Sequence, residues 1–152
     1  MDYAKIQTTI LKDRLKLTPK CRIAYEEFEN WIAVTYDGYS MFFIPKEKWI
    51  LDCSKIAEHP TNLASKIMVN TPYAQQVSYT GEAVYPDAKT GWVKKFSCSG
   101  FTVSIRDDLL RPFGDDIILL AIADNQPVFV MENTDMQKCR GIVMPWKELK
   151  KS

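Results

Sequence analysis

At 152 residues, the chain has the length of a single domain. Its hydrophobic residues, 46% of the total, suffice for a core, and 20 Lys and Arg against 19 Asp and Glu leave a net charge of +1. That balance excludes a strongly basic nucleic-acid coat, an acidic tail and a disordered chain, while leaving room for a local basic stripe.

Residues 3–17 read as an amphipathic helix. Tyr3, Ile6, Ile10 and Leu17 fall on one side, widened by Leu11, and Lys5, Lys12 and Lys16 gather opposite. Thr18-Pro19 ends it. Three strand-like runs follow at 21–25, 31–36 and 39–44, with Asp37-Gly38 as a hairpin signal and Pro45 as a stop. Glu26, Glu27 and Glu29 read as a solvent-facing acidic loop between the first two runs. Residues 50–76 look like a connector, with Ser54 and Thr61 as candidate caps, a short helix over 62–68 and a turn at Asn70-Thr71-Pro72. A long hairpin then joins 76–85 to 92–98 through a polar tip that ends in Gly91. A strand over 101–105 leads into a short helix from Asp107 toward Phe113, closed by Gly114. Runs at 117–123, 127–132 and 139–144 complete the chain, and Pro145 closes them.

Catalytic patterns are missing from the sequence. It contains no G-x-x-x-x-G-K-[ST] loop and no G-x-G-x-x-G fingerprint. Asp107-Asp108 and Asp115-Asp116 make no focused acid/base pair, because adjacent helical side chains diverge by about 100°, and a helix start and a turn explain them more simply. Cys21, Cys53, Cys98 and Cys139 form no C-x-x-C pair, and His59 is the single histidine. Free thiols are expected, with no metal, no cofactor and no enzyme activity. Trp31, Trp49, Trp92 and Trp146 are too dispersed for a stacking platform and suit a core or a peptide groove better. The first residues lack the apolar block of a signal peptide. The longest apolar run, Ile117 to Ala123, has seven residues, where a spanning helix needs about 20. A soluble, cytoplasmic protein without a membrane partner is the expectation.

The two ends share one order: a helix, three meandering strands, and an aliphatic-proline closure. Phe43-Ile44-Pro45 and Val143-Met144-Pro145 are the closures, and a large apolar residue, Trp49 or Leu149, follows each proline by four positions. The expected fold class is α+β in a single domain, residues 1–152. Its helix-plus-antiparallel-meander units, about 3–49 and 101–149, are related by a pseudo-two-fold axis, with the connector and hairpin over 50–98 between them. Helix plus meander is also a common arrangement that arises without duplication.

Three segments resemble a domain of the DNA polymerase sliding clamp, the bacterial β-clamp type. They are Thr35-Tyr36-Asp37-Gly38-Tyr39, the run from Phe101 to Leu110, and the closing stretch from Gln126-Pro127-Val128 to Met144-Pro145-Trp146. The resemblance implies a DNA-clamp-like domain in a ring, helices lining the hole and sheets outside. It also implies a hydrophobic cleft that takes short peptides from a polymerase or another replication-type protein. Full bacterial clamps carry three such domains per chain, so a ring of single domains needs about six copies with closed symmetry; a homo-oligomer is the expected assembly.

Two functions remain open. One is a non-enzymatic, DNA-associated processivity or tethering factor. The other is a protein- or peptide-interaction module that uses the clamp fold without encircling DNA. For the first, Lys5, Lys12 and Lys16, joined by Arg106 and Arg111 near the second helix, are the candidates to meet duplex DNA without sequence specificity. The same lysines fit the solvated side of any amphipathic helix. For the peptide site the candidates are Met131, Val143, Met144, Pro145 and Trp146, residues that also fit an ordinary core at a strand end.

Overall fold

A computed structural model describes residues 1–14, 24–35, 37–51, 59–60, 62–132 and 135–147. Helix α1 (Tyr3–Arg14) starts where Asp2 satisfies its first turn. The Asp2 carboxylate accepts the Lys5 N–H at 3.0 Å, and its carbonyl accepts that of Ile6 at 3.1 Å. Ile6, Gln7 and Ile10 are buried on one side, while Lys5, Thr8, Thr9 and Lys12 are exposed. Gln7 is a buried polar group with its bonds filled. Its side-chain amide donates to the Tyr3 carbonyl at 3.1 Å and the Lys48 carbonyl at 2.8 Å, and its Oε1 accepts the Ile50 N–H at 2.7 Å.

Strands β1 (Ala24–Glu27), β2 (Trp31–Thr35) and β3 (Ser40–Pro45) form an antiparallel meander. The β2–β3 turn rests on Asp37, whose Oδ1 accepts the Tyr39 and Ser40 N–H groups, each at 2.9 Å. Gly38 sits at φ 76°, a conformation that side chains disfavour. A two-residue strand β4 (His59–Pro60) lies parallel to β1. Pro60 is tolerated there because β4 is an edge. Helix α2 (Leu63–Met68) and a 3-10 turn over Thr71–Tyr73 lead into the long strand β5 (Gln75–Val84). β6 (Val93–Ser97) and β7 (Thr102–Arg106) follow, and β7 runs directly into helix α3 (Asp107–Leu110) and a 3-10 turn over Arg111–Phe113. β8 (Ile117–Ala121), β9 (Val128–Glu132) and β10 (Asp135–Val143) form the last meander.

The ten strands among the described residues join one sheet in the order β4-β1-β2-β3-β10-β9-β8-β5-β6-β7, antiparallel except at β1 and β4. The protein is therefore a mixed α and β fold on a mainly antiparallel sheet. A large cluster on one side collects Ile6 and Ile10 from α1, Leu109 and Leu110 from α3, and Phe113 against Val34, Phe42, Val103, Val130 and Val143. A smaller cluster on the other side sets Ala64 of α2 against Ala33, Phe43, Phe129, Met131 and Ile142. Full burial of a Val, Leu, Ile, Phe or Met side chain among them contributes about 1.5–3 kcal/mol.

The elements depart from the sequence expectation at several ends. Glu26 and Glu27 belong to β1 rather than to a loop, and Glu26 does not face solvent freely. Its carboxylate accepts the Ser65 N–H at 3.1 Å and the Ser65 hydroxyl, holding α2 to β1. Asp135 and Met136 belong to β10 rather than to a link, because register shifts near Cys139 let the strand start early. His59 pairs with Ala24 instead of lying in a connector. Leu15, Leu17, Cys21, Tyr36, Cys53, Ser54, Thr61 and Leu149 lie outside the described residues.

Candidate functional site

Helices α1 and α3 cover the same side of the sheet, through Ile6 and Ile10 and through Leu109 and Leu110. Between them lies a cleft of about 360 Å³. Lys5 and Thr9 border it from α1, Asp108 from α3, Arg111 from the 3-10 turn that follows it, and Phe42 lines it from β3. Of the five residues expected to meet DNA, the structure brings Lys5 and Arg111 to this one cleft. Lys12 is exposed further along α1 but does not line it, and Lys16 lies outside the described residues. Neither Lys5 nor Lys12 has a carboxylate partner among the described residues.

The two arginines differ from the lysines in being tied down. Arg106 grips Asp108 with two hydrogen bonds, Nε at 3.1 Å and Nη2 at 2.7 Å. Arg111 donates from Nε to Asp107 at 3.2 Å, though its side chain remains 72% exposed. Lys94 meets the same Asp107 carboxylate at 3.0 Å and sits over the Tyr79 ring, 5.5 Å from its centre. Burial would raise the Asp107 carboxyl, but hydrogen bonds and charge from Lys94 and Arg111 outweigh it and hold the carboxyl below its usual range. Asp107 and Asp108 thus act as expected at a helix start and also neutralise cations around it.

The five peptide-site candidates do not converge. Met131 is buried in the cluster against α2, whereas Val143 is buried in the cluster under α1 and α3, so the sheet separates them. Met144 is exposed, and Pro145 and Trp146 are half-buried. The backbone holds this segment: the Met144 N–H donates to the Tyr39 carbonyl at 2.8 Å, and that of Trp146 to the Ser104 carbonyl at 2.7 Å. The second bond covers the outer edge of β7. None of the five lines the clefts described here.

A larger cleft of about 620 Å³ opens near Trp31 and Arg140. Trp31 is committed to packing, stacked on Phe28 at 3.9 Å and tilted against Phe43 at 4.5 Å. Arg140 is held by Glu132 at 2.7 Å and by the Tyr3 hydroxyl oxygen. The Arg140 bond lowers the Glu132 carboxyl against the opposing effect of burial, with help from Lys138. Cys139 beside it is a half-buried thiol pushed up to about 12 by desolvation, which favours its protonated form. Among the described residues, no three His, Cys, Asp or Glu side chains gather to hold a metal. Among them, too, no helix is long and apolar enough to cross a membrane.

Sequence reasoning missed the pairing of Lys94 with Asp107 and the role of Gln7. For Gln7 a signal exists, a lone amide between Ile6 and Ile10 on the buried side of a helix. For Lys94 there is none, because its partner comes from another element. No protein-family model, no curated protein and no solved structure matches the chain.

Proposed function

We propose that the protein is a non-enzymatic, DNA-associated tethering factor with a sliding-clamp-like domain, its helix side turned toward duplex DNA. The observation that carries this reading is the strand order. The meanders β1-β2-β3 and β8-β9-β10 run in the same sequence order and meet through their third strands, β3 against β10. Each is preceded by a helix, and both helices pack on one side of the sheet. That supports two helix-plus-meander units related by a pseudo-two-fold axis. Lys5 and Lys12 are exposed on α1 and have no carboxylate partner among the described residues, so a phosphate backbone gains contact there without base reading. A ring built this way needs about six copies.

The test is a titration of fluorescent duplex DNA at rising salt. Binding should be independent of sequence, and each lost phosphate contact should lower the salt slope by about one. Replacing Lys5, Lys12 and Lys16 together by alanine keeps helix propensity and should lower the slope by about three if all three contact phosphate. Light scattering supplies the second arm. A strict monomer with no duplex affinity overturns the reading.

A specific observation favours the second function, a protein-interaction module. Arg106 and Arg111 are neutralised by Asp108 and Asp107, so the second helix adds little net charge to the DNA side. In that case the triple alanine variant behaves as wild type toward its protein partner.

A further inference from the structure

Strand β5 changes partners along its length. From Gln75 to Val77 it pairs with β8, ending at Val77 opposite Leu119. From Ser78 onward it pairs with β6 on its other side. Gly81, at φ 85°, and a register shift between Tyr79 and Ala83 bend the strand there, as a bulge does. The Thr80 hydroxyl fixes the bend by donating to the Lys95 carbonyl at 3.0 Å and accepting the Glu82 N–H at 3.1 Å. β8 meanwhile continues to Ile118 and Ile117, paired with β9 alone.

The two strands therefore fork. Half of a strand's backbone groups point toward each neighbour. At Ser78 and Tyr79 on one arm, and Ile117 and Ile118 on the other, the sides facing the fork have no strand partner. No other backbone hydrogen bond reaches these four among the described residues. The fork holds a cleft of about 400 Å³, within the size range of ligand sites. Buried Phe96, Leu110 and Leu119 line it, and Tyr79, 48% exposed, forms one wall. Its charges cancel, Lys94 and Arg111 against Asp107 and Asp115. A nucleic-acid strand gains no net attraction in such a cleft. An extended polypeptide gains the open backbone positions and an apolar floor for alternate side chains.

We propose that the fork between β5 and β8 is a docking site for an extended segment of a partner protein, inserted as an added strand that continues the ladder beyond Val77 and Leu119. Its apolar side chains, at every second position, face Phe96, Leu110 and Leu119. Arg111, with only its Nε engaged among the described residues, meets an acidic group at one end of the segment. The site lies apart from the Met144–Trp146 segment. It rests on the interaction-module reading and stands whether or not α1 meets DNA.

The probe is an arrayed library of hexapeptides with apolar residues at alternate positions, screened on the full chain. Amide hydrogen exchange then maps the strongest peptide. The expected result is that exchange slows by about tenfold or more at the fork-facing amides, one of Ser78 and Tyr79 and one of Ile117 and Ile118. N-methylation of alternate peptide amides should weaken binding by about tenfold, because it removes ladder donors and keeps the side chains. Tyr79→Ala should weaken it about threefold, measured where the variant is fully folded because its contacts with Lys94 and Phe96 are lost too. Protection at another surface, or indifference to N-methylation, overturns the fork and leaves the interaction-module reading intact. A screen that selects no peptide overturns both. Slowed exchange at the same fork-facing amides by a ten-nucleotide oligo-thymidine replaces the peptide with a nucleic-acid strand and also overturns the proposal.

Discussion

The meander β1-β2-β3 is an unbroken ladder, register by register from Ala24–Thr35 to Trp31–Pro45. The meander β8-β9-β10 is paired as regularly between β8 and β9, but β10 shifts register twice around Cys139. The difference follows from how each half is covered. Over the first half lies a helix of 12 residues, which buries Ile6 and Ile10 along its length. The second half has a helix of only 4 residues, extended by a 3-10 turn that swings Phe113 onto the sheet. Phe113 stacks on Phe42 at 5.1 Å, directly over Gly141, which faces Phe42 across the β3–β10 seam. A regular strand with a side chain at 141 has no room for that ring. Two units of similar order thus close by different devices, a long amphipathic helix in one and an aromatic ring over a bare backbone in the other.

Substitutions at these devices should separate the halves. The largest effect is expected from Gly141→Ala. Its Cβ lies 2.3 Å from the Met41 carbonyl oxygen and 2.5 Å from the Phe113 ring. Backbone on one side and a packed ring on the other leave little relief, and a loss of about 3 kcal/mol in urea unfolding is expected. Gln7→Leu removes the device of the first half that is not hydrophobic. The Ile50 N–H and the Lys48 and Tyr3 carbonyls lose their partner, at a cost of about 2 kcal/mol by the same measurement. Gly38→Ala sharpens the contrast with Gly141. No atom lies within 4 Å of the added carbon, so only the positive φ of 76° opposes it, and about 1 kcal/mol is expected.

The smallest effect concerns pH. Asp107 has a folded pKa below its ordinary value of 3.8. Its ionised form therefore stabilises the fold above that value, and the contribution is lost as pH falls through the folded pKa. Asp107→Asn should lower stability by about 0.5 kcal/mol at neutral pH. The gap to wild type should close on acidification below 3.8. A gap that persists in acid would assign the loss to packing rather than charge.

Local features of the fold were legible where local chemistry dictates them. Asp37-Gly38 marks its turn by a carboxylate that accepts two N–H groups and a glycine that takes the positive φ. The repeated strand runs read correctly because each buries a side of alternating or continuous apolar residues. Strand ends were less legible. Glu26 looks solvent-facing by composition, but its ladder pairing with Ala33 places it in a strand, and its carboxylate is held by Ser65, 39 residues away. The candidate site was readable in part. Lys5 and Lys12 are exposed, as helical periodicity requires. The grouping of Met131 with Val143 failed because they sit on neighbouring strands with opposite facing, which spacing along the chain does not reveal. The fork at β5 was invisible, since it depends on which strand pairs with which after Val77.

The β3–β10 seam has a consequence for synthesis. Phe42 waits for Gly141, which follows it by 141 − 42, or 99, positions. Translation at about 5–20 residues per second leaves roughly 5–20 s between the two. During that interval the nascent first meander exposes the bare edge of β3, with Met41, Phe42, Phe43 and Ile44 in a row. Such an edge invites pairing with another copy. Yield of native protein should therefore depend on elongation rate and on chaperones that hold the edge until the last strand emerges.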